Sequence, residues 1–250
     1  MLNNILNKYN CEIHGIIQVG ANNGQELNLL VKHSDNIYLF EPLKSAYSIL
    51  LAKSANYKTV KTYNFALGDS HGVEALNVTE TNNGASSSIL KPTLHKDYFP
   101  EIQFNAVEEV AVKRFDEIDE NIDANFLIID VQGFELKVLK GFGNKLKNID
   151  FIFTEYSLKP LYENSVLIYD LDDFLKNFGY IRFKTFPTSN KPQGDALYVK
   201  KEEKNIFMYF VYNLNSKFQI SKLYLFFFLL KDTKKLKFLF KKFIKKNLNL

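Results

Sequence analysis

The chain has 250 residues, 46% of them hydrophobic and 24% charged, enough for one sizeable folded domain with an appendage and too apolar for a disordered body. A single cysteine, Cys11, excludes a disulfide framework and a thiolate metal centre, and His14, His33, His71 and His95 show no metal-ligand spacing, so no metal is expected. The net charge of +4 is uneven: residues 201–250 hold twelve lysines against three acids, which leaves the first two hundred residues mildly acidic.

The N-terminus MLNNILNKYNCEI has no basic stretch followed by an apolar core, so it does not read as a secretory signal, and a reducing, cytoplasmic setting is expected. GIIQV (15–19) is a continuous apolar run ending at a glycine, as in a strand buried on both faces. GQELNLLVKH (24–33) follows as a helix with Leu27, Leu30 and Val31 on one face. NIYLFEP (36–42) is a second strand closed by Pro42, SAYSILLAKS (45–54) a helix capped by Ser45, and YKTVKTYNFAL (57–67) contains a third strand. Strand and helix alternating in this way imply a parallel sheet with right-handed crossovers.

The middle is less regular. GVEALNVTE (72–80) and VEEVAVKRF (107–115) alternate like exposed strands around a long segment rich in turn formers. Alternation resumes with NFLIIDVQG (125–133) as a buried strand and FELKVLKGF (134–142) as a helix. NIDFIFTEYS (148–157) is another buried strand, and VLIYDLDDFLKNFG (166–179) an amphipathic helix with Gly179 as its C-cap. YIRFKTF and DALYVKK form a closing antiparallel hairpin. The fold class is therefore α/β, doubly wound and Rossmann-like, with seven core strands: five in parallel alternation plus the hairpin. The expected domain spans 1–203, followed by an extension over 204–250.

In such a sheet a ligand sits at the carboxyl ends of the central strands. The first turn does not read G-x-x-x-x-G-K-[ST], because Gln25 and Glu26 follow Gly24 where a phosphate loop needs lysine. Nor is it a full G-x-G-x-x-G, because Asn22 stands where the second glycine would admit a pyrophosphate. The spacing present is Gly20-x-x-x-Gly24, which suits a ligand without phosphate. Glu41 ends the second strand about twenty residues on, where an acid can accept hydrogen bonds from both ribose hydroxyls. Ribose without phosphate, joined to a charged amino acid, describes S-adenosylmethionine. Glycine turns and strand-end acids also occur in α/β proteins that bind no nucleotide.

VGANNG, LFEP, NFALGD, SSS, FLIIDVQGFELKVLKGF and IFTEYS occur in the order that resembles FkbM-family methyltransferases, over about residues 15–200. The resemblance implies a seven-stranded methyltransferase fold, S-adenosylmethionine as methyl donor, and O-methylation of a hydroxyl on a sugar or natural product, as in polysaccharide biosynthesis. Two positions depart from the family pattern: Gln18 stands where an Asp is frequent, and Ile128 where a Lys is frequent. By similarity, Gln18, Gly20, Ala21, Asn22 and Gly24 hold the methionine end of the cofactor, Glu41 and Pro42 the ribose, and Gly68 and Asp69 the adenine edge.

Methyl transfer to a hydroxyl is an in-line displacement that needs positioning and a base for the hydroxyl proton. Asp130, at the end of the central fourth strand, is the candidate base, and Glu155, at the end of the fifth, is a second catalytic candidate. Asp130 has a competing role as a cap of the following helix, since helix N-termini attract carboxylates. Glu135 is a substrate candidate or a helix cap. Asn83 to Ser88 is expected over the cleft, with Ser86 and Ser87 contacting substrate, or as a mobile lid. Two other readings share the fold: a catalytically degenerate adaptor acting through its basic extension, and a nicotinamide-dependent oxidoreductase.

In the extension, LYLFFFLL (223–230) is too short for the roughly twenty apolar residues of a membrane span. KDTKKLKFLFKKFIKKNLNL places Leu236, Leu239, Phe240, Phe243 and Ile244 on one helical face, with Lys234, Lys235, Lys237, Lys241, Lys242, Lys245 and Lys246 around them. That pattern fits a helix lying on an anionic membrane surface, peripheral at its inner face, and equally one docking on a partner biosynthetic enzyme or packing on the body as a helical hairpin. Its phenylalanines are better explained as a buried face than as a nucleic-acid platform, so no nucleic acid partner is expected.

Overall fold

The protein is described by a computed structural model over residues 2–8 and 13–201. The expected extension over 204–250 and its amphipathic helix lie outside the described residues. In chain order the elements are α1 (Leu2–Lys8), β1 (Ile16–Val19), α2 (Leu27–Leu30), β2 (Ile37–Phe40), α3 (Lys44–Ser54), β3 (Val60–Tyr63), β4 (Ala66–Leu67) and β5 (Gly72–Thr79). There follow α4 (His95–Tyr98), β6 (Phe104–Lys113), β7 (Phe126–Ile129), α5 (Glu135–Gly141), β8 (Phe151–Ser157), α6 (Ile168–Asn177), β9 (Tyr180–Pro187) and β10 (Gln193–Lys200).

Seven strands form one sheet in the order β3-β2-β1-β7-β8-β10-β9. The five strands expected in parallel alternation are there and pair in parallel. The hairpin forms as well, but it does not simply extend the edge. Its second strand, β10, inserts between β8 and β9 and runs antiparallel to both. All four residues of β1, β2 and β7 are buried, as continuous apolar runs require when helices cover both faces. One face carries Ile17, Val19, Tyr38, Phe40, Leu127, Ile129 and Ile152 into a core shared with α5 and α6. Val138 and Leu139 of α5, with Leu171 and Leu175 of α6, fill it; each such buried side chain contributes about 1.5–3 kcal/mol.

Three local expectations are corrected. The helix expected over 24–33 is helical only at Leu27–Leu30, with turns on either side. Ser45 does not cap α3; the cap position is Leu43, which makes no side-chain bond, and Ser45 lies inside the first turn. The run 57–67 does contain the expected third strand, β3, and β4 as well. β4 leaves the main sheet and, with β5 and β6, forms a second sheet of three strands. The C-cap of α6 is Phe178 rather than Gly179, which comes one residue later at φ +84°.

A candidate active site at the carboxyl ends of the strands

The sheet register builds the site. Val19 lies opposite Phe40 and opposite Ile129, and Ile129 opposite Thr154. The next residue on each strand therefore falls in one row: Glu41, Gly20, Asp130, Glu155. The antiparallel β10 adds Asp195, directly opposite Glu155. Above this row lies a cavity of about 520 Å³, within the roughly 300–1,000 Å³ of small-molecule pockets.

Gly20 is the hinge of the first turn. Its φ is +82°, and a Cβ there would stand 1.8 Å from the carbonyl oxygen of Asp130. The backbones of β1 and β7 thus close on each other as they leave the sheet, a contact only glycine allows. The turn is then fastened to the second strand. Phe40 O accepts from Gly20 N and Ala21 N, both at 3.0 Å. Glu41 accepts from Asn22 N and Leu43 N through its two oxygens, each at 2.8 Å. Asn64 holds the strand end by donating to the carbonyls of Glu41 and Pro42. Glu41 is buried, and that burial pushes its pKa up to about 7.

Of the residues assigned to the cofactor by sequence, Gln18, Gly20, Asn22, Glu41 and Pro42 line the cavity. Ala21, Gly24, Gly68 and Asp69 do not. Gly24, at φ +72°, faces Leu50 of α3. Asp69 faces outward to Lys137 at 3.5 Å, while its carbonyl accepts from Arg114. The wall beside Glu41 is instead apolar, made by Phe65, Ala66, Leu67 and Phe134. The cofactor that the resemblance implies fits these surroundings. A turn that a Cβ would block, an acid at the second strand end and an apolar slot for a flat ring are the donor set for an amino acid moiety, a ribose and a purine.

The other half of the row centres on Gln132. Its amide nitrogen donates to Asp130 Oδ1 and to Glu155 Oε2, both at 2.8 Å. Its amide oxygen accepts from the Tyr162 hydroxyl at 2.8 Å, and its carbonyl accepts from Ser88 at 2.7 Å. These bonds hold Gln132 at φ +54°, a conformation uncommon outside glycine. Glu155 accepts a second amide, from Gln193, on its other oxygen. Asp130 opens to the cavity, and the protein crowded around it raises its pKa above the ordinary carboxylate value. The same crowding, with Asp130 and Glu135 beside it, raises Glu155 further.

Asp130 does not cap α5. That position is Phe134, without a side-chain bond, and Glu135 accepts from Gly133 N at 3.0 Å. Glu135 is buried behind the cavity lining, with its pKa pushed up to about 7 by burial. Of the serines, Ser87 and Ser88 line the cavity and Ser86 does not. Ser86 Oγ accepts from Asn82, and Ser87 Oγ accepts from Thr79 N. The segment over the cleft is tied on both sides, since Asn22 donates to Asn83 O at 3.1 Å and Ser88 to Gln132 O.

Sequence reasoning missed Gln132, Gln193, Tyr162, Asn64 and Asp195. Gln132 sits inside the DVQG motif, which was its signal. Asp195 had none, because its place depends on the hairpin register. Among the described residues no group of three or more His, Cys, Asp or Glu is arranged to hold a metal, and no helix is long and apolar enough to cross a membrane.

The Methyltransferase FkbM domain profile matches residues 18–182. The 2-O-methyltransferase NoeI of Sinorhizobium fredii (strain NBRC 101917 / NGR234) is 26% identical over 192 residues, covering 73% of this chain and 77% of that one. The crystal structure of methyltransferase FkbM from Methylobacillus flagellatus KT superposes with a TM-score of 0.50 at 14% identity. That match covers 75% of this chain and 44% of the other, so the chain spans less than half of that protein and shares its fold. The profile match covers more than half of the chain, and with the strand order and the Gly20–Glu41–Asp130 row it establishes that the chain belongs to the FkbM family of S-adenosylmethionine-dependent methyltransferases.

Proposed function

We propose that the protein is an O-methyltransferase whose acceptor is a hydroxyl of a sugar, a glycan or a glycan precursor. The observation that carries this reading is Asp130: a carboxylate at the floor of the cavity, with one oxygen fixed by Gln132 and the other free to take a proton. The name of NoeI, a 2-O-methyltransferase, supports oxygen as the methylated atom.

S-adenosylmethionine, held by Gly20, Asn22, Glu41 and the apolar wall, supplies an electrophilic methyl group on a good leaving group. The protein has the remaining tasks. The tied segment Asn83–Ser88 keeps water from the reacting end. Asp130 Oδ2 accepts the hydroxyl proton as the oxygen attacks. A raised pKa suits that task, because a base works best when its pKa is near the working pH. Gln132 keeps Asp130 from turning away, and Tyr162 and Ser88 keep Gln132 in place. Glu155 has both oxygens engaged by amides and serves the reaction through Gln132.

The extension over 204–250 is proposed to hold the enzyme at an anionic membrane surface, a reading supported by its lysine-rich amphipathic sequence.

The test is calorimetric titration of the full chain with S-adenosylmethionine and S-adenosylhomocysteine, with Glu41→Ala alongside, followed by transfer of labelled methyl to a panel of glycosides. Micromolar binding, lost in Glu41→Ala, and label on a sugar oxygen are expected. A folded chain that binds neither ligand overturns the reading.

A further inference from the structure

We propose that Asp195 is a second acceptor-contacting carboxylate, acting with Asp130 to hold an uncharged, hydroxyl-rich ring and to turn away anionic acceptors. This rests on the proposed sugar O-methyltransfer and goes beyond it in naming the residue and the charge class of the acceptor.

The geometry separates the two acids of the β8–β10 pair. Asp195 and Glu155 lie directly opposite each other. Glu155 accepts amide hydrogens from Gln132 and Gln193, one on each oxygen, and does not line the cavity. Asp195 lines the cavity, and its carboxylate accepts no hydrogen bond from the described residues. Two acids opposite each other in an antiparallel pair cost stability unless something uses them. Here one is locked into the scaffold, and the other is left facing the space where a substrate must sit.

The rest of that end of the cavity fits a sugar ring. Phe153 and Ile128 are cross-strand neighbours and both line it, giving an apolar surface for the C–H face of a ring. Hydroxyls at the ring edge then meet acceptors, which is what Asp130 and Asp195 offer. Burial, and then the charge of Asp130 two strands away, push Asp195 up to about 7, against the N-terminal amine, which lowers it. The ionisable residues lining the cavity, among the described residues, are Glu26, Glu41, Asp130 and Asp195. None is cationic, and Ile128 keeps the wall beside Asp130 apolar. A phosphate or uronate would meet the like charge of these carboxylates and, among the described residues, no cationic side chain in the lining.

The experiment uses the full chain loaded with S-adenosylhomocysteine. Binding of the methyl glycoside of a neutral hexose and of the matching uronate is read by saturation-transfer NMR, and methyl transfer is read separately with labelled donor. The neutral glycoside is expected to bind at least roughly tenfold more tightly than the uronate. Asp195→Asn is expected to weaken neutral binding about tenfold, the loss typical of one charge-assisted hydrogen bond, and to close most of the gap to the uronate. Asp195→Glu keeps the charge and is expected to keep the preference. Unchanged affinity for S-adenosylhomocysteine shows that the variants fold. Neutral binding indifferent to Asp195→Asn, or wild-type preference for the uronate, overturns the inference. Neutral binding that depends on Asp195 but yields no methylated oxygen overturns the O-methyltransfer reading and leaves the contact standing. A loaded protein that binds neither glycoside overturns both.

Discussion

Replacing Gly20 by alanine tests whether the first turn is shaped by β7 as the geometry demands. The new Cβ would lie 1.8 Å from Asp130 O and 2.9 Å from Asp130 C. Backbone cannot yield as a side chain can, since Asp130 N is itself bonded to Val19 O at 3.0 Å. Overpacking of this kind costs about 1–3 kcal/mol, and the left-handed φ of +82° adds about 1–2 kcal/mol for an L side chain. The sum, about 2–5 kcal/mol, lowers the melting temperature of a domain this size by roughly 4–20 °C. Two other glycines calibrate the result. At Gly24, φ is +72° but the nearest atom is Leu50 Cδ1 at 2.8 Å, a side chain that can turn. Gly24→Ala should therefore cost only the conformational part, about 1–2 kcal/mol. At Gly72 nothing lies within 4 Å of the added carbon, and Gly72→Ala should leave stability unchanged or raise it by about 0.4–1 kcal/mol. Thermal unfolding followed by circular dichroism reads all three, with S-adenosylhomocysteine calorimetry beside it. A Gly20→Ala protein as stable as Gly72→Ala, with wild-type affinity, would refute the account of the turn.

Three further outcomes are expected. Gln132→Leu removes the amide between Asp130 and Glu155. Loss of a charge-assisted bond of about 1.5–3 kcal/mol corresponds to a turnover some 10–150-fold lower. Because the amide lowers the Asp130 pKa, the acid limb of the pH–rate profile should move up; a fall in rate with an unmoved profile would argue against positioning. Glu41, Glu135 and Asp195 are raised by burial from 4.5, 4.5 and 3.8 to about 7. The folded chain then keeps protons that the unfolded chain has released between about pH 4 and pH 7, so stability falls as pH rises through that window. The ligand-free protein should melt higher at pH 5 than at pH 7.5, and the reverse order would contradict the burial of these acids. Finally, full-length protein should sediment with anionic vesicles and not with neutral ones, in a salt-sensitive way; retention by neither shifts the extension's role to a protein partner.

The parallel half of the sheet was readable because its signals are local. Apolar runs closed by glycine or acid mark β1, β2, β7 and β8, and the row Gly20, Glu41, Asp130, Glu155 follows from where those runs stop. What the sequence hid is set by pairing between distant segments. Asp195 joins the row only because β10 inserts beside β8, and no pattern within residues 187–200 records that choice. Glu155 looked free because its two amide partners lie 23 and 38 residues away. Gly68 and Asp69 looked like ligand contacts for the opposite reason: a turn after a strand resembles a binding turn. Here, though, β4 has left the main sheet, and Asp69 faces Lys137 and Arg114. Ser45 resembled a cap, yet the residue after Pro42 already begins the turn that Glu41 fastens.

The insertion of β10 also sets an order of assembly. β1, β2, β3 and β7 are all made by residue 129, so the Gly20–Glu41–Asp130 part of the row can close while the chain is still emerging from the ribosome. β9 comes next but has no place beside β8, because the neighbour of β8 is β10. Two strands must wait for the last seventh of the domain, and the edge of β8, with Phe151 and Phe153, stays unpaired until then. The Gly20–Glu41–Asp130 part of the row and its Asp195 end are thus completed at different moments of synthesis. A nascent chain stalled near residue 190 would carry the first without the second, and an open sheet edge where Asp195 belongs.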